Sequence, residues 1–214
     1  SIYKFSGCDL NIFLNFQKYF PNAKTFKMEN TYRNSQELIQ IAGDFVMKNP
    51  NQIKKNLKSP KHLENPIKII HYLNPYKTLF KTIKQIKNGE ILILGRNNFD
   101  IFNFISKEKI TWLEDGYFKL ENYPYNLRYL TIHKSKGLES DNVIVINLTN
   151  SEIGLPAKKE ASAITYLIQE KENFLYEEER RLFYVALTRT KNKCYLLVPY
   201  SHPSIFVQEI KKKI

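Results

Sequence analysis

Apolar, β-rich runs that alternate with helix-like segments constrain the fold of this 214-residue chain more than any other feature. Strand patterns occur at residues 23–28, 67–72, 90–94, 129–133, 142–148 and 194–198. Helix patterns occur at residues 34–47, with Asn34 or Ser35 as the candidate cap, and at residues 76–87, 99–107, parts of 162–170 and 176–188, and 204–212. Strands that alternate with helices pair in parallel, because each crossover helix packs on a face of the sheet. The order of elements therefore predicts an α/β domain with a mostly parallel sheet and helices on both faces.

Charge and cysteine content narrow the function classes. The chain has 33 Lys and Arg against 21 Asp and Glu, a net charge of +12. This excess favours a polyanionic partner, with nucleic acid ahead of a membrane surface, although a Lys-rich proteome would also produce it. Cys8 and Cys194 are far apart and outside any metal-ligand spacing, which indicates a reducing cytoplasm without a disulfide framework.

Neither a membrane span nor a signal peptide is expected from the sequence. No apolar run approaches the roughly 18 residues that a membrane helix needs. The chain opens with Ser1 rather than Met, which suggests that further sequence lies upstream.

The segment 177–189 contains a predicted helix with an arginine, Arg189, at its carboxyl end. Leu182, Val185, Ala186 and Arg189 fall at i, i+3, i+4 and i+7, so they share one face. An arginine that continues an apolar stripe can snorkel, pair with an acid, or point into a cleft towards an anion. The last alternative would make Arg189 an arginine finger for a transferring phosphoryl group.

Two further segments carry anion-binding chemistry. Tyr32 and Arg33 place a flat ring and a fixed cation just before a predicted helix. Residues 131–139 combine several hydrogen-bond donors with Gly137, which permits close backbone approach to an anion. The second segment is not a Walker A motif, since Gly-x4-Gly-Lys-Ser/Thr occurs nowhere in the chain. We expect all three segments at the carboxyl ends of strands, where parallel sheets bind ligands.

These segments, taken together and in order, resemble the second RecA-like motor domain of superfamily I DNA helicases of the UvrD/Rep type. The matching stretches are residues 1–7 (end of motif III), 30–33 (motif IV), 91–98 (the short motif after it), 131–139 (motif V) and 178–191 (motif VI). The resemblance implies a RecA-like sheet, a P-loop NTPase-like fold that lacks its own P-loop.

Within that family, the resemblance is closer to the DNA helicase IV branch. It is carried by residues 5–10, 48–55 and 204–210. Only about thirty residues separate Asn98 from Tyr129, where the family usually carries a large extra domain. The implied division is a motif III segment and linking helix at residues 1–22, then the second RecA-like domain at 23–214 without the insertion.

Nucleotide contacts follow from the resemblance. It implies that Tyr32 stacks on adenine and that Arg33 and Arg189 reach the γ-phosphate as catalytic cations. It also implies that Glu139 holds the ribose and that Gly137 lies near the phosphates.

Single-stranded DNA contacts are implied for Tyr3, Phe5, Asn98, Thr131 and His133. The implied cofactor is ATP with Mg²⁺, whose ligands we expect in an upstream first RecA-like domain rather than in this chain. The implied partners are single-stranded DNA, duplex junctions and that first domain.

The leading interpretation is an ATP-dependent DNA helicase motor domain that is inactive on its own, in a cytoplasmic protein. One alternative is the helicase subunit of a helicase–nuclease complex. The other is a non-catalytic DNA-binding module that kept the fold and lost the motor.

Overall fold

The computed structural model describes residues 15–26, 28–50, 52, 56–158 and 174–214. Within these residues, seven strands form one mixed sheet in the order β1-β7-β6-β2-β5-β4-β3. The strands are β1 (Ile67–Tyr72), β2 (Ile91–Gly95), β3 (Ile110–Trp112), β4 (Tyr117–Leu120), β5 (Leu127–Thr131), β6 (Asn142–Val145) and β7 (Cys194–Pro199). The strands from β1 to β5 in that order pair in parallel, and β4 and β3 add an antiparallel edge. The predicted α/β class with a mostly parallel sheet is confirmed.

Helices cover both faces of the sheet, as expected. They are α1 (Phe16–Tyr19), α2 (Gln36–Val46), α3 (Pro75–Gln85), α4 (Glu177–Leu187) and α5 (Ile205–Lys211). Two of them begin at side-chain caps: Ser35 Oγ accepts from the Leu38 amide, and Asn74 Oδ1 accepts from the Lys77 amide. Ser35 is thus the cap of α2, one of the two residues that the sequence offered.

Two hydrophobic cores result from the alternation of side chains along the strands. Leu92 and Leu94 of β2 face the core that α2, α4 and α5 cover. Ile91 and Ile93 face the opposite core, beneath α3. Because the central strands are buried on both faces, their sequences are continuous apolar runs rather than alternations of apolar and polar residues.

Two predicted elements are wrong. The described residues of 23–28 form no strand, and nearby Asn30 makes only an isolated bridge to Lys58. Phe26 is 84% exposed, so its apolar character does not reflect burial in the sheet. The helix predicted at 99–107 is instead two short 3-10 turns, Asp100–Asn103 and Lys107–Lys109, because Ser106 between them is extended.

Several predicted boundaries also shift. The strands expected at 129–133 and 142–148 end at Thr131 and Val145, and the left-handed φ of 57° at Asn147 prevents a longer β6. The helix expected within 162–170 lies outside the described residues.

The β3–β4 hairpin is an element that the sequence interpretation missed. Its turn contains Asp115 and Gly116, with φ of 53° and 78°, and the Leu113 amide donates to the Tyr117 carbonyl at 2.8 Å. Asp-Gly between two apolar runs is the local signal of such a hairpin.

A buried ion pair fixes α4 against α5. Arg180 of α4, with a side chain 7% exposed, donates through both terminal nitrogens to Glu209 of α5 at 2.6 and 3.0 Å. Its guanidinium also lies about 5 Å from the ring centroids of Phe45 and Phe206. Burial alone would raise the pKa of Glu209, but hydrogen bonds from Arg180 and Lys48 outweigh it and lower the pKa.

Substitution of two glycines by alanine should have opposite effects on stability. A Cβ at Gly116 would lie 2.6 Å from the Tyr129 carbonyl oxygen, and the residue has positive φ. Gly116→Ala should therefore lower the free energy of unfolding by about 2 kcal/mol. Gly43→Ala should raise it by about 0.5–1 kcal/mol, because a Cβ in α2 meets nothing within 4 Å. Urea denaturation of both variants measures this, and equal effects of the two would contradict the assigned turn geometry.

Loss of the Glu209 charge should destabilise the fold in a pH-dependent manner. Glu209→Gln should lower the free energy of unfolding near pH 7 by about 2 kcal/mol, because Arg180 stays buried without a counter-charge. Since the pKa of Glu209 is below its ordinary value of 4.5, the stabilisation is complete above that pH and is lost as the pH falls through the lowered pKa. Thermal unfolding from pH 7 to pH 3 should therefore show a larger loss of stability in the wild type than in the variant, because other carboxylates with a lowered pKa, such as Glu139, are present in both.

The exposed pair Lys213–Asp44 supplies the control, because its partners are 49% and 43% exposed. Asp44→Asn should change stability by less than about 1 kcal/mol. An equal effect of the two substitutions would show that burial does not set the importance of the Arg180–Glu209 pair.

Candidate functional site

Parallel pairing of β6 and β7 brings Glu139 and Arg189 side by side. Just before the two strands, Ser140 and Thr190 form a parallel bridge. The Ser140 amide donates to the Arg189 carbonyl at 3.0 Å, and the Lys191 amide donates to the Ser140 carbonyl at 2.8 Å. The residues that precede β6 and β7 are therefore neighbours at one edge of the sheet.

Asn34 joins the segment before α2 to the same edge. Its buried side-chain amide donates to the Thr188 carbonyl at 3.3 Å and to the Thr190 carbonyl at 2.7 Å. These bonds hold Arg33 beside the residues on either side of Arg189. The sequence interpretation considered Asn34 only as a helix cap, and its position directly after Arg33 was the signal available.

Arg189 is held by neutral oxygens rather than by a carboxylate. Its Nε donates to the Val185 carbonyl at 3.0 Å, Nη1 to the Leu138 carbonyl at 3.0 Å, and Nη2 to Thr188 Oγ1 at 3.3 Å. Burial, followed by the nearby charge of Arg33, lowers the pKa of Arg189 to about 10. Both causes penalise the charged form, so an anion between the two guanidiniums would be favourable.

Glu139 lies between the cations of this edge. Its Oε2 accepts from Arg33 Nε at 2.6 Å, and its Oε1 is 3.5 Å from Lys191 Nζ. The hydrogen bond from Arg33 lowers the pKa of Glu139, so the carboxylate is charged at neutral pH. We name the group Arg33, Glu139, Arg189 and Lys191 the cationic edge.

The remaining predicted nucleotide contacts adjoin the cationic edge in sequence. The Tyr32 side chain is 77% exposed and is free of packing that would prevent it from stacking on a ring. Gly137 has a φ of 89° and is exposed, and a Cβ there would meet nothing within 4 Å.

The expected location of these residues is wrong, because the cationic edge lies at the amino ends of β6 and β7. Residues 132–141 run from the carboxyl end of β5 to the start of β6, so Thr131 and Glu139 occupy opposite ends of the sheet. Arg189 follows α4 and precedes β7, and among the described residues before position 30 there is no strand for residues 30–33 to follow.

The predicted DNA contacts form a separate group at the carboxyl ends of β2 and β5. Asn98 and Thr131 both line a groove of about 580 Å³ there. The Thr131 side chain is buried, and its Oγ1 accepts from the Lys134 amide at 3.3 Å. Tyr3 and Phe5 lie outside the described residues.

His133 adjoins an ion pair that the sequence interpretation missed. Arg96, directly after β2, contacts Glu179 of α4 at 2.8 Å. Burial and then the charge of Arg96 lower the pKa of His133, while Glu179 acts in the opposite direction. The net effect favours the neutral imidazole. Glu179 lies near the start of α4 and Arg189 follows its end, so this helix runs between the two groups of predicted contacts.

In the described ranges, no three His, Cys, Asp or Glu side chains come together as a metal site. No helix in those ranges has the length and apolar character to cross a membrane.

Curated relatives of known name match the chain over most of its length. DNA helicase IV of Escherichia coli (strain K12) is 30% identical over 99% of the chain and 30% of its own length. A probable DNA helicase of Mycoplasma pneumoniae is 28% identical over 99% of the chain and 40% of its own length. The ATP-dependent DNA helicase Rep of Buchnera aphidicola is 33% identical over 59% of the chain and 20% of its own length. The chain thus spans less than half of each of these relatives.

A solved structure and a family model agree with this similarity. The C-terminal domain of a possible DNA helicase from Lactobacillus (strain WCFS1) has a TM-score of 0.51 at 15% identity, covering 84% of this chain and 94% of that one. This match supports the fold alone. The family model for the UvrD-like helicase C-terminal domain matches residues 77–200, more than half of the chain. The predicted family is confirmed: the chain belongs to the UvrD-like helicase C-terminal domain family.

Proposed function

We propose that this chain is the second motor domain of an ATP-dependent DNA helicase and that it supplies Arg33 and Arg189 to the γ-phosphate of ATP. The observation that carries the proposal is the environment of Arg189. Its guanidinium is partly buried, is oriented by three neutral oxygens, and lies close enough to Arg33 for the second charge to lower its pKa.

The chemistry of the cationic edge fits a polyphosphate. Two guanidiniums present several fixed N–H donors to phosphate oxygens, and phosphate charge would remove the repulsion between them. ATP supplies the phosphoryl group that is transferred, and the role of Arg33 and Arg189 is to neutralise charge that develops on it. The Arg189 side chain is already oriented by its neutral acceptors, so it needs little reorganisation when a phosphate binds.

Glu139 and Tyr32 would hold the nucleoside. Glu139 is paired with Arg33 at 2.6 Å, so in this proposal Arg33 turns to the phosphates and frees the carboxylate for a ribose hydroxyl. The exposed ring of Tyr32 would stack on adenine, and Gly137 would let the backbone approach the phosphates.

A second domain would complete the ATP site. The chain contains no Walker A motif, so in this proposal the phosphate cradle and the Mg²⁺ ligands belong to a first RecA-like domain. Relatives named as ATP-dependent DNA helicases are several times longer than their matched segments, which leaves room for such a domain. Closure of the two domains around ATP would bring Arg33 and Arg189 to the γ-phosphate, and hydrolysis would release them.

DNA would bind at the opposite end of the sheet. Asn98, Thr131 and His133 lie near the carboxyl ends of β2 and β5, and the net charge of +12 favours a polyanion. We propose that α4 links the two ends as a rigid rod of about 16 Å. The Arg96–Glu179 pair attaches its start to the DNA side, and Arg189 follows its end.

Removal of Arg189 should abolish hydrolysis and leave DNA binding nearly intact. In the protein encoded by the complete gene, Arg189→Ala should lower DNA-stimulated kcat about 10³-fold, because the γ-phosphate loses a cation that neutralises the charge developing on it in the transition state. Affinity for single-stranded DNA should stay within about twofold. Coupled ATPase kinetics and anisotropy of a labelled oligonucleotide measure the two quantities.

Two further variants make this test specific. Arg189→Lys keeps the charge but loses the planar donor fork, so most of the defect should remain. Lys193→Ala removes a cation from the start of the next strand and should leave kcat within about twofold. Unchanged turnover in Arg189→Ala would refute the assigned role. Substantial ATP hydrolysis by the purified 214-residue chain would refute the proposal that the phosphate cradle and the Mg²⁺ ligands belong to another domain.

A further inference from the structure

The only tryptophan of the chain lies at the edge of the groove that contains the predicted DNA contacts. Trp112 ends β3 and is 44% exposed. Its ring tilts against buried Phe118 at a centroid distance of 5.3 Å and meets Phe102 edge-on at 6.4 Å. Packing on two phenylalanines orients the indole and leaves part of its surface open to the groove.

The groove combines this ring with polar groups suited to a nucleotide. Asn98, Thr131, Trp112 and Phe102 all line it. Its volume of about 580 Å³ is large enough for a base with its sugar. The groove is therefore continuous with the surface proposed to contact DNA.

Cations outnumber acids along the groove. Arg128 and Lys134 line it together with a single acid, Asp115. Arg128 Nε donates to the Asp115 carbonyl at 3.0 Å, and its guanidinium lies 4.8 Å from the centroid of the Tyr117 ring. The arginine is thus held in place by a neutral oxygen and an aromatic face, and its positive charge remains available to an anion. The Lys134 side chain is exposed.

We propose that this groove binds a short segment of a single DNA strand, with one base stacked on Trp112 and backbone phosphates of the segment near Arg128 and Lys134. An aromatic ring beside cations is the arrangement by which proteins hold unpaired bases without reading their sequence. The proposal rests on the proposed helicase function and adds to it a base-stacking residue. The β3–β4 hairpin provides this residue from the interval between the predicted motifs at 91–98 and 131–139.

Intrinsic fluorescence tests the proposal directly, because Trp112 is the sole tryptophan of the 214-residue chain. Titration with an oligothymidylate should quench its emission along the same binding curve that anisotropy of the labelled oligonucleotide gives. Binding by anisotropy with no change in emission would overturn the groove assignment while leaving the helicase proposal intact. No binding by anisotropy would overturn both. Equal quenching by thymidine monophosphate at the same concentrations would overturn the assignment to a strand.

Substitutions separate stacking from folding. Trp112→Ala should weaken oligothymidylate binding about tenfold, the magnitude expected for one lost base–aromatic stack. Trp112→Phe should bind within about threefold of wild type, because a smaller ring remains. Tyr125→Ala is the matched control, since it removes an exposed ring beyond the opposite end of β5. Circular dichroism confirms folding, and affinity unchanged in Trp112→Ala, or equally reduced in Tyr125→Ala, would overturn the proposal.

Discussion

Parallel pairing of β6 with β7 is the constraint on which the candidate site depends. The parallel pairing extends to the bridge between Ser140 and Thr190. Glu139 and Arg189 therefore lie side by side although they are distant in sequence. The amide of Asn34 then bonds to the carbonyls on either side of Arg189 and brings Arg33 to the same edge. Hydrogen bonds within the backbone and from the Asn34 side chain to the backbone, rather than contacts among the charged side chains, assemble the cationic edge. Repulsion between its two arginines is therefore sustained by the fold.

Much of the fold was predictable from sequence because buried parallel strands leave a strong apolar signal. β1, β2 and β7 agree with their predicted runs to within one residue at each end, and α2 begins at one of its two expected caps. Segment 23–28 failed because Phe26 and Met28 are exposed, and an apolar residue at an exposed position imitates a strand. The β3–β4 hairpin was missed although its Asp115–Gly116 turn was visible in the sequence.

The residues of the candidate site were predicted from the family resemblance, and their position in the sheet was predicted incorrectly. The resemblance to a helicase family supplied Arg33, Glu139 and Arg189, and the structure brings these residues together. Their location at the amino ends of strands could not be read locally, because residues 132–141 connect opposite ends of the sheet. The Arg96–Glu179 pair joins residues that are far apart in the chain, and no local sequence pattern predicts such a contact.

The central claim is that Arg33 and Arg189 together form a site for the phosphates of a nucleotide. Calorimetric titration of the 214-residue chain with tripolyphosphate tests it without requiring catalysis. The account predicts saturable binding at one site that is weakened at least about tenfold by either Arg33→Ala or Arg189→Ala. Affinity that is unchanged in both variants, and that falls only with added salt, would show that general positive charge binds the anion and would contradict the account.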